Sequence, residues 1–165
     1  MTRSHARAAP GERAVGQVPG GHWQRLTVIG ALGLEGVVAS MSIADRTRRV
    51  RSTTAVFLAF VEQALLPALR GRSDVVVVMD NLGAHKAEPV RHAFEAAKVA
   101  YRYLPSYSPD LNPIEPCWSK LKGGLRARAA RTLEALEAEL GPALATITAQ
   151  DAQGWFRLCG YSAPN

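Results

Sequence analysis

The 165-residue sequence predicts an α/β fold, a mixed sheet flanked by helices. Three observations carry this. "DVVVVMD" (74–80) is a short, unbroken, β-branched run, the pattern of a parallel strand covered on both faces. A helical stretch and a second strand, "VAYRYLP" (99–105), follow, and this β-α-β order implies parallel strands joined by a right-handed crossover. Upstream, "QRLTVIGAL" (24–32) and "GVVASMSI" (36–43) flank the turn signal "GLEG", so they predict an antiparallel hairpin.

In chain order, residues 1–22 are rich in glycine, proline and arginine and predict a loose arm or hairpin. After the hairpin, "DRTRRVR" gathers Arg46, Arg48, Arg49 and Arg51. "TTAVFLAFVEQALLPAL" is apolar on most sides and predicts a helix lying deep against the sheet, capped by Thr53 or Thr54 and disturbed near its end by Pro67. The crossover helix is expected from about Lys86 to Ala97. In "SYSPDLNPIEPCWSKLKGGL", Asn112 is placed as an N-cap, Pro113 as the first helical residue, and Gly123 and Gly124 as the end of the helix. A last long helix begins near Thr132, with Leu133, Leu136, Leu140, Leu144 and Ile147 on one stripe. Residues 150–165 form a tail that packs back through Trp155 and Phe156. No repeat or internal boundary divides the chain, so one domain over 1–165 is expected.

Composition narrows the class. No apolar run is long enough to cross a bilayer, and the basic start lacks the apolar middle of a secretory signal. A net charge of +6 and a pI near 9.8 favour a polyanionic partner, nucleic acid first, against a merely soluble basic surface. Cys117 and Cys159 stand far apart without metal-ligand spacing, which fits a reducing cytoplasm and not a zinc site.

The chemistry-bearing residues are acids. Asp80 ends its strand at the carboxyl edge, where open α/β sheets place ligands, although Asp80 or Asn81 capping the next helix explains the pattern equally well. Glu115 lies three residues after Asn112, so alone it reads first as half of a capping box, and Asp110 reads as a turn former. Together Asp80 and Glu115 are separated by one helix, one strand and one loop, which lets both reach the same end of the sheet. Two carboxylates meeting there repel unless a cation sits between them, and Mg²⁺ or Mn²⁺ is the natural hard cation. Such ions serve phosphodiester chemistry.

"VVMDNLGAHK" followed by "YLPSYSPDLNPIEPCWSKLK" resembles the core of the DDE transposases of the mariner superfamily, in its bacterial insertion-sequence branch. The likeness runs from about Ala6 to Tyr161, with "ERAVG", "FLAFVEQALLPAL" and "GWFRLCGY" in support. It implies a ribonuclease H-like fold and Mg²⁺-dependent DNA strand cleavage followed by strand transfer, in a cytoplasmic, nucleoid-associated protein that acts as a homodimer when intact. Position by position, Asp80 matches the second acid of the triad and Glu115 the third. Asn81 and His85 match supporting polar positions that orient Asp80 or meet a phosphate.

The family's first acid, on the first and central strand, is expected just before "MTRSHARA", so that strand and its aspartate are expected to be missing. Asp45 and Glu12 are poor substitutes, since Asp45 would sit about two strand spacings, ~10 Å, from the centre. A decayed gene copy, the second half of a two-frame transposase completed by another polypeptide, and an upstream start all fit. The chain alone is then expected to be inactive. Lys120, Lys122, Arg126, Arg128 and Arg131, with the arginines at 46–51, are candidate phosphate contacts, or else a solvated surface. Trp118 and Tyr107 are further candidates for touching DNA, with core packing the leading role for Trp118. The alternative function is a non-catalytic DNA-binding or partner-binding remnant. An Asp80 nucleophile in a small hydrolase ranks lower, since no second acid stands beside it in sequence.

Overall fold

The computed structural model describes residues 8–13, 25–45 and 53–162. The arginines at 46–51 and most of the expected arm therefore lie outside the described residues. The hairpin forms as expected: β1 (Arg25–Gly33) pairs antiparallel with β2 (Gly36–Asp45), with a register shift at Ala31 and Leu32. Gly36 closes the turn at φ +117°, a backbone conformation open to glycine. The β-α-β unit forms too. Strand β3 (Val76–Met79) runs parallel to β4 (Ala100–Tyr103), joined by α3 (Glu88–Ala96).

The two strand pairs do not join. Among the described residues the strands make two two-stranded sheets, β1-β2 and β3-β4, in place of one mixed sheet. The core does not divide with them. Ala39 of β2 packs with Phe57, Phe60, Val61, Leu65, Met79, Val90 and Phe94 in a cluster that joins the hairpin to β3 and its helices, while Leu121, Leu125, Leu140 and Ala143 form a second cluster touching Leu26 and Val28 of β1.

Several helices depart from expectation for local reasons. The helix after β2 is not continuous: α1 (Thr54–Phe60) passes into a π-helical turn over Val61–Leu65 and then α2 (Leu66–Leu69). Pro67 has no N–H to give the regular ladder, and the wider turn before it accommodates the ring. Thr53 caps α1 through its hydroxyl, which accepts from Val56 N. The crossover helix starts at Glu88, with Pro89 in its first turn, because residues 82–86 are spent on turns closed by His85 N and Lys86 N donating to Leu82 O. Neither Asp80 nor Asn81 caps α3, whose N-cap position is Ala87.

Helix α4 (Ile114–Ala127) follows a 3₁₀ turn at Pro109–Leu111 and carries no side-chain cap, so the capping box expected of Asn112 and Glu115 is absent. Asn112 is extended and Pro113 is already helical in its dihedrals, so the entry itself is as expected. Gly123 and Gly124 do not end this helix. Buried Leu121 and Leu125 hold that stretch down, and the chain leaves the helix at Ala129, φ +52°. Helix α5 (Leu133–Leu144) is capped by Thr132, and its leucine stripe faces the second core cluster. The tail is a helix, α6 (Ala149–Leu158), with a full capping box between Thr148 and Asp151.

Candidate active site

The separation of the sheets leaves a cleft of about 600 Å³. Its long walls are Val28–Gly33 of β1 and the stretch 75–79 that contains β3. Arg72, just before β3, pairs with Glu35, just after β1, at 3.1 Å. The end of β1 therefore lies near the start of β3. Val76 and Val78 remain about half exposed on β3, so a β-branched run that reads as buried is open on one side. On the opposite wall, Gly30 lets Trp118 lie against β1: a Cβ there would stand 2.9 Å from the indole Cη2. Trp118 is thus a packing residue that also lines the cleft.

Both acids singled out in the sequence line this cleft. Asp80 follows directly from the β3 end, where Leu104 N donates to Met79 O at 2.8 Å and locks the parallel register. Its side chain is 43% exposed. Asp80 Oδ1 accepts from Leu82 N at 3.1 Å, which turns the chain away from the strand and leaves the carboxylate at the cleft mouth. Glu115 occupies the first turn of α4, exposed, and its carboxylate has no hydrogen bond or ion pair among the described residues. A helix amino terminus favours a negative charge there.

His85 and Asn81 support Asp80 in different ways. His85 Nδ1 lies 2.7 Å from Asp80 Oδ1, but off hydrogen-bond direction, so this buried nitrogen has no hydrogen-bond partner among the described residues. The contact is an electrostatic one that strengthens if the imidazole is protonated. The ring rests on Phe57 at a centroid distance of 3.9 Å, and the His85 carbonyl accepts from the Tyr103 hydroxyl at 3.2 Å. Burial, and then neighbouring Tyr101, push the Tyr103 pKa up, which keeps that donor protonated. Asn81 donates from Nδ2 to Ser106 Oγ at 3.0 Å and so ties the loop after β3 to the loop after β4. Phe57 and Ser106 were not recognisable in the sequence as parts of this site. A serine before a proline-bracketed turn is a weak signal, and an aromatic inside an apolar helix is none.

The other candidate acids are elsewhere. Asp45, at the end of β2, is only 2% exposed and does not line the cleft. Glu12 lies in an exposed turn. Of the five basic residues after Glu115, Lys120 is paired with Asp151 and Arg128 with Glu139 at 2.8 Å, while Arg131 also interacts within the chain. Lys122 and Arg126 are exposed without an ion pair among the described residues. Burial pushes the Cys117 thiol up to about 11, with Asp151 adding to the shift and Lys120 opposing it, so this cysteine is an inert packing group.

Among the described residues no cluster of three or more His, Cys, Asp or Glu side chains is arranged to hold a metal. Asp80 and Glu115, which line the same cleft, are of the ligand type that suits Mg²⁺ or Mn²⁺, ions that commonly take one or two carboxylates and complete their shell with water and phosphate oxygens. No helix among the described residues is long and apolar enough to cross a membrane.

Comparison with curated protein sequences returns no match. Among solved structures, the chain is similar to the Mos1 transposase paired-end complex with left transposon end, with a TM-score of 0.70 at 18% identity. That match covers 94% of this chain and 47% of the other, so the chain spans about half the length of that relative. The catalytic domain of Mos1 mariner transposase matches with a TM-score of 0.61 at 21% identity, covering 80% of this chain and 66% of that one. The Mos1 catalytic domain with Raltegravir and Mg matches with a TM-score of 0.62 at 20% identity, covering 82% and 69%. These likenesses show that the chain has the mixed α/β, ribonuclease H-like fold of those structures. The family model described as DDE superfamily endonuclease matches residues 1–137, and the chain belongs to that family.

Proposed function

We propose that this chain is the catalytic core of a mariner-type DNA transposase of the bacterial insertion-sequence branch, and that it is incomplete until the cleft between β1 and β3 is filled. The observation that carries this is the shared cleft: Asp80 and Glu115 both line it, and neither is consumed by helix capping. Asp80 and Glu115 would hold a divalent cation, which when bound supplies a Lewis acid to a phosphodiester and its attacking hydroxyl. Asn81 fixes the loop that carries Asp80, and His85 holds the carboxylate from the side through its packing on Phe57. DNA at transposon ends and target sites is the substrate class, with Lys122 and Arg126 the readiest phosphate contacts and Lys120, Arg128 and Arg131 available once DNA competes for their present partners.

The cleft suits a strand, since stretches of strand wall it on both long sides. A strand parallel to β3 would join the two sheets into one mixed sheet and would bring its carboxyl end to Asp80. An aspartate there would give the third acid. In the intact enzyme this strand comes from the same or a second polypeptide, the assembly is a homodimer, and its place is the nucleoid-associated cytoplasm.

The test is a Mg²⁺-dependent nicking assay on supercoiled DNA. The chain alone should not nick. Addition of a short apolar peptide ending in aspartate, or its fusion upstream, should produce nicking that Asp80→Asn or Glu115→Gln abolishes. Cutting by the chain alone that depends on Asp80 would defeat the incomplete-site reading. Salt-sensitive DNA binding with no cutting under any of these conditions would instead support the remnant alternative.

A further inference from the structure

The segment "GWFRLCGY" (154–161) has no part in the site described above, yet it reaches that site. Gly160, at φ +85°, ends α6: Gly160 N donates to Arg157 O at 3.0 Å and Tyr161 N to Phe156 O at 2.9 Å. This left-handed glycine cap fixes the direction in which the chain leaves the helix. It turns the Tyr161 ring edge-on to Phe156 at a centroid distance of 5.7 Å, and both rings line the cleft that Asp80 and Glu115 line. The Tyr161 hydroxyl then donates to Leu111 O at 2.9 Å, 50 residues back in the chain. Burial, with Cys159 adding to it, pushes the Tyr161 pKa up, which keeps this donor protonated.

Leu111 ends the 3₁₀ turn that leads into α4, and Glu115 N donates to Asn112 O at 3.1 Å in the turn that follows. That helix start has no side-chain cap. The Glu115 carboxylate has no hydrogen bond or ion pair among the described residues, so its place is set by the backbone that carries it. Trp118 seats the next turn of α4 against β1, whereas Tyr161 holds the entry. We propose that Tyr161 is a positioning residue for Glu115: its hydroxyl anchors the turn that sets where this carboxylate stands in the cleft. The inference rests on the proposed cation site at Asp80 and Glu115 and deepens it, since it makes the end of α6 a support of that site. One hydrogen bond is a modest net force, so its loss loosens the turn without unfolding the helix.

The test titrates Mn²⁺ into the 165-residue chain, reads free Mn²⁺ by electron paramagnetic resonance, and records a thermal melt of each variant. The wild type should bind Mn²⁺ at a site that Asp80→Asn and Glu115→Gln each weaken. Tyr161→Phe keeps the ring against Phe156 and removes only the hydroxyl, and it should weaken Mn²⁺ binding by roughly threefold or more. Thr148→Ala removes the cap at the other end of α6, and it should lower the melting temperature and leave Mn²⁺ affinity unchanged. Equal affinity in the wild type and Tyr161→Phe, or an equal loss in Thr148→Ala, overturns the positioning role while the cation site stands. Mn²⁺ binding that is absent from the wild type, or indifferent to both carboxylate substitutions, overturns the cation site and the positioning role with it.

Discussion

Two strands of this protein are apolar runs that end on an aspartate, β2 at Asp45 and β3 just before Asp80, and they end in opposite surroundings. Asp45 is 2% exposed and engaged within the chain. Asp80 is 43% exposed at a cleft mouth, turned outward by Leu82 N and braced by His85. The local sequence pattern is the same. Each strand has a single strand neighbour, so the difference lies in what surrounds its end: Asp45 is shut in, while Asp80 lines the open cleft beside β3. A charge at the end of an apolar strand is therefore a structural group where the next layer closes over it. It is a candidate reactive group where the sheet is left open.

The sharpest way to break this comparison is to truncate both acids. Asp45→Ala removes a buried carboxylate from its partners and should cost about 3 kcal/mol, the usual scale for leaving buried polar groups unmatched. Asp80→Ala should cost less than about 1 kcal/mol, because that carboxylate is half exposed and its partner contacts are few. Urea denaturation of the two variants measures the difference. Equal losses would mean that Asp80 is as structural as Asp45 and would remove the reason for placing chemistry there.

The two cleft walls offer a second contrast. Gly30→Ala places a Cβ 2.9 Å from the Trp118 ring, which is itself packed against the second core cluster. Overpacking of this kind should cost about 1–2 kcal/mol. Val78→Thr on the facing wall alters a side chain 45% exposed to the cleft and should shift stability by less than about 0.5 kcal/mol. Thermal melts of the two variants check this. A large loss at Val78 would show that the open edge of β3 is covered in solution.

The hairpin, the crossover unit, the cap at Thr53 and the helix start at Thr132 were legible because each is set by neighbours within a few residues. What decided the site was not local. The gap between β1 and β3 depends on a strand pairing that no residue of either strand encodes, and β3 reads as fully buried because its composition suits a strand with neighbours on both sides. Asp80 and Glu115 were legible as a pair only through the order of the elements between them. Phe57 under His85, Ser106 against Asn81 and Glu35 against Arg72 join residues far apart in sequence, and periodicity carries no record of such meetings. The same holds for Lys120, which reads as a free phosphate contact and is held by Asp151 on α6.

Asp151 extends the comparison to a third aspartate and the smallest expected effect. It is neither closed in like Asp45 nor left open like Asp80, but caps α6 and binds Lys120. The hydrogen bond from Lys120, followed by those from Thr148, lowers its pKa to about 2. An acid depressed in the folded state contributes stability that is complete above its unfolded value, near 4, and is lost as pH falls through the folded value. The stability gap between wild type and Asp151→Asn should therefore be constant above about pH 4 and close between about pH 4 and pH 2. Urea midpoints across that range read the change. A gap that persists at pH 2 would place the stabilisation in the geometry of the cap. A gap that closes places it in the charge, and makes the release of Lys120 toward a phosphate a matter of exchanging one anion for another.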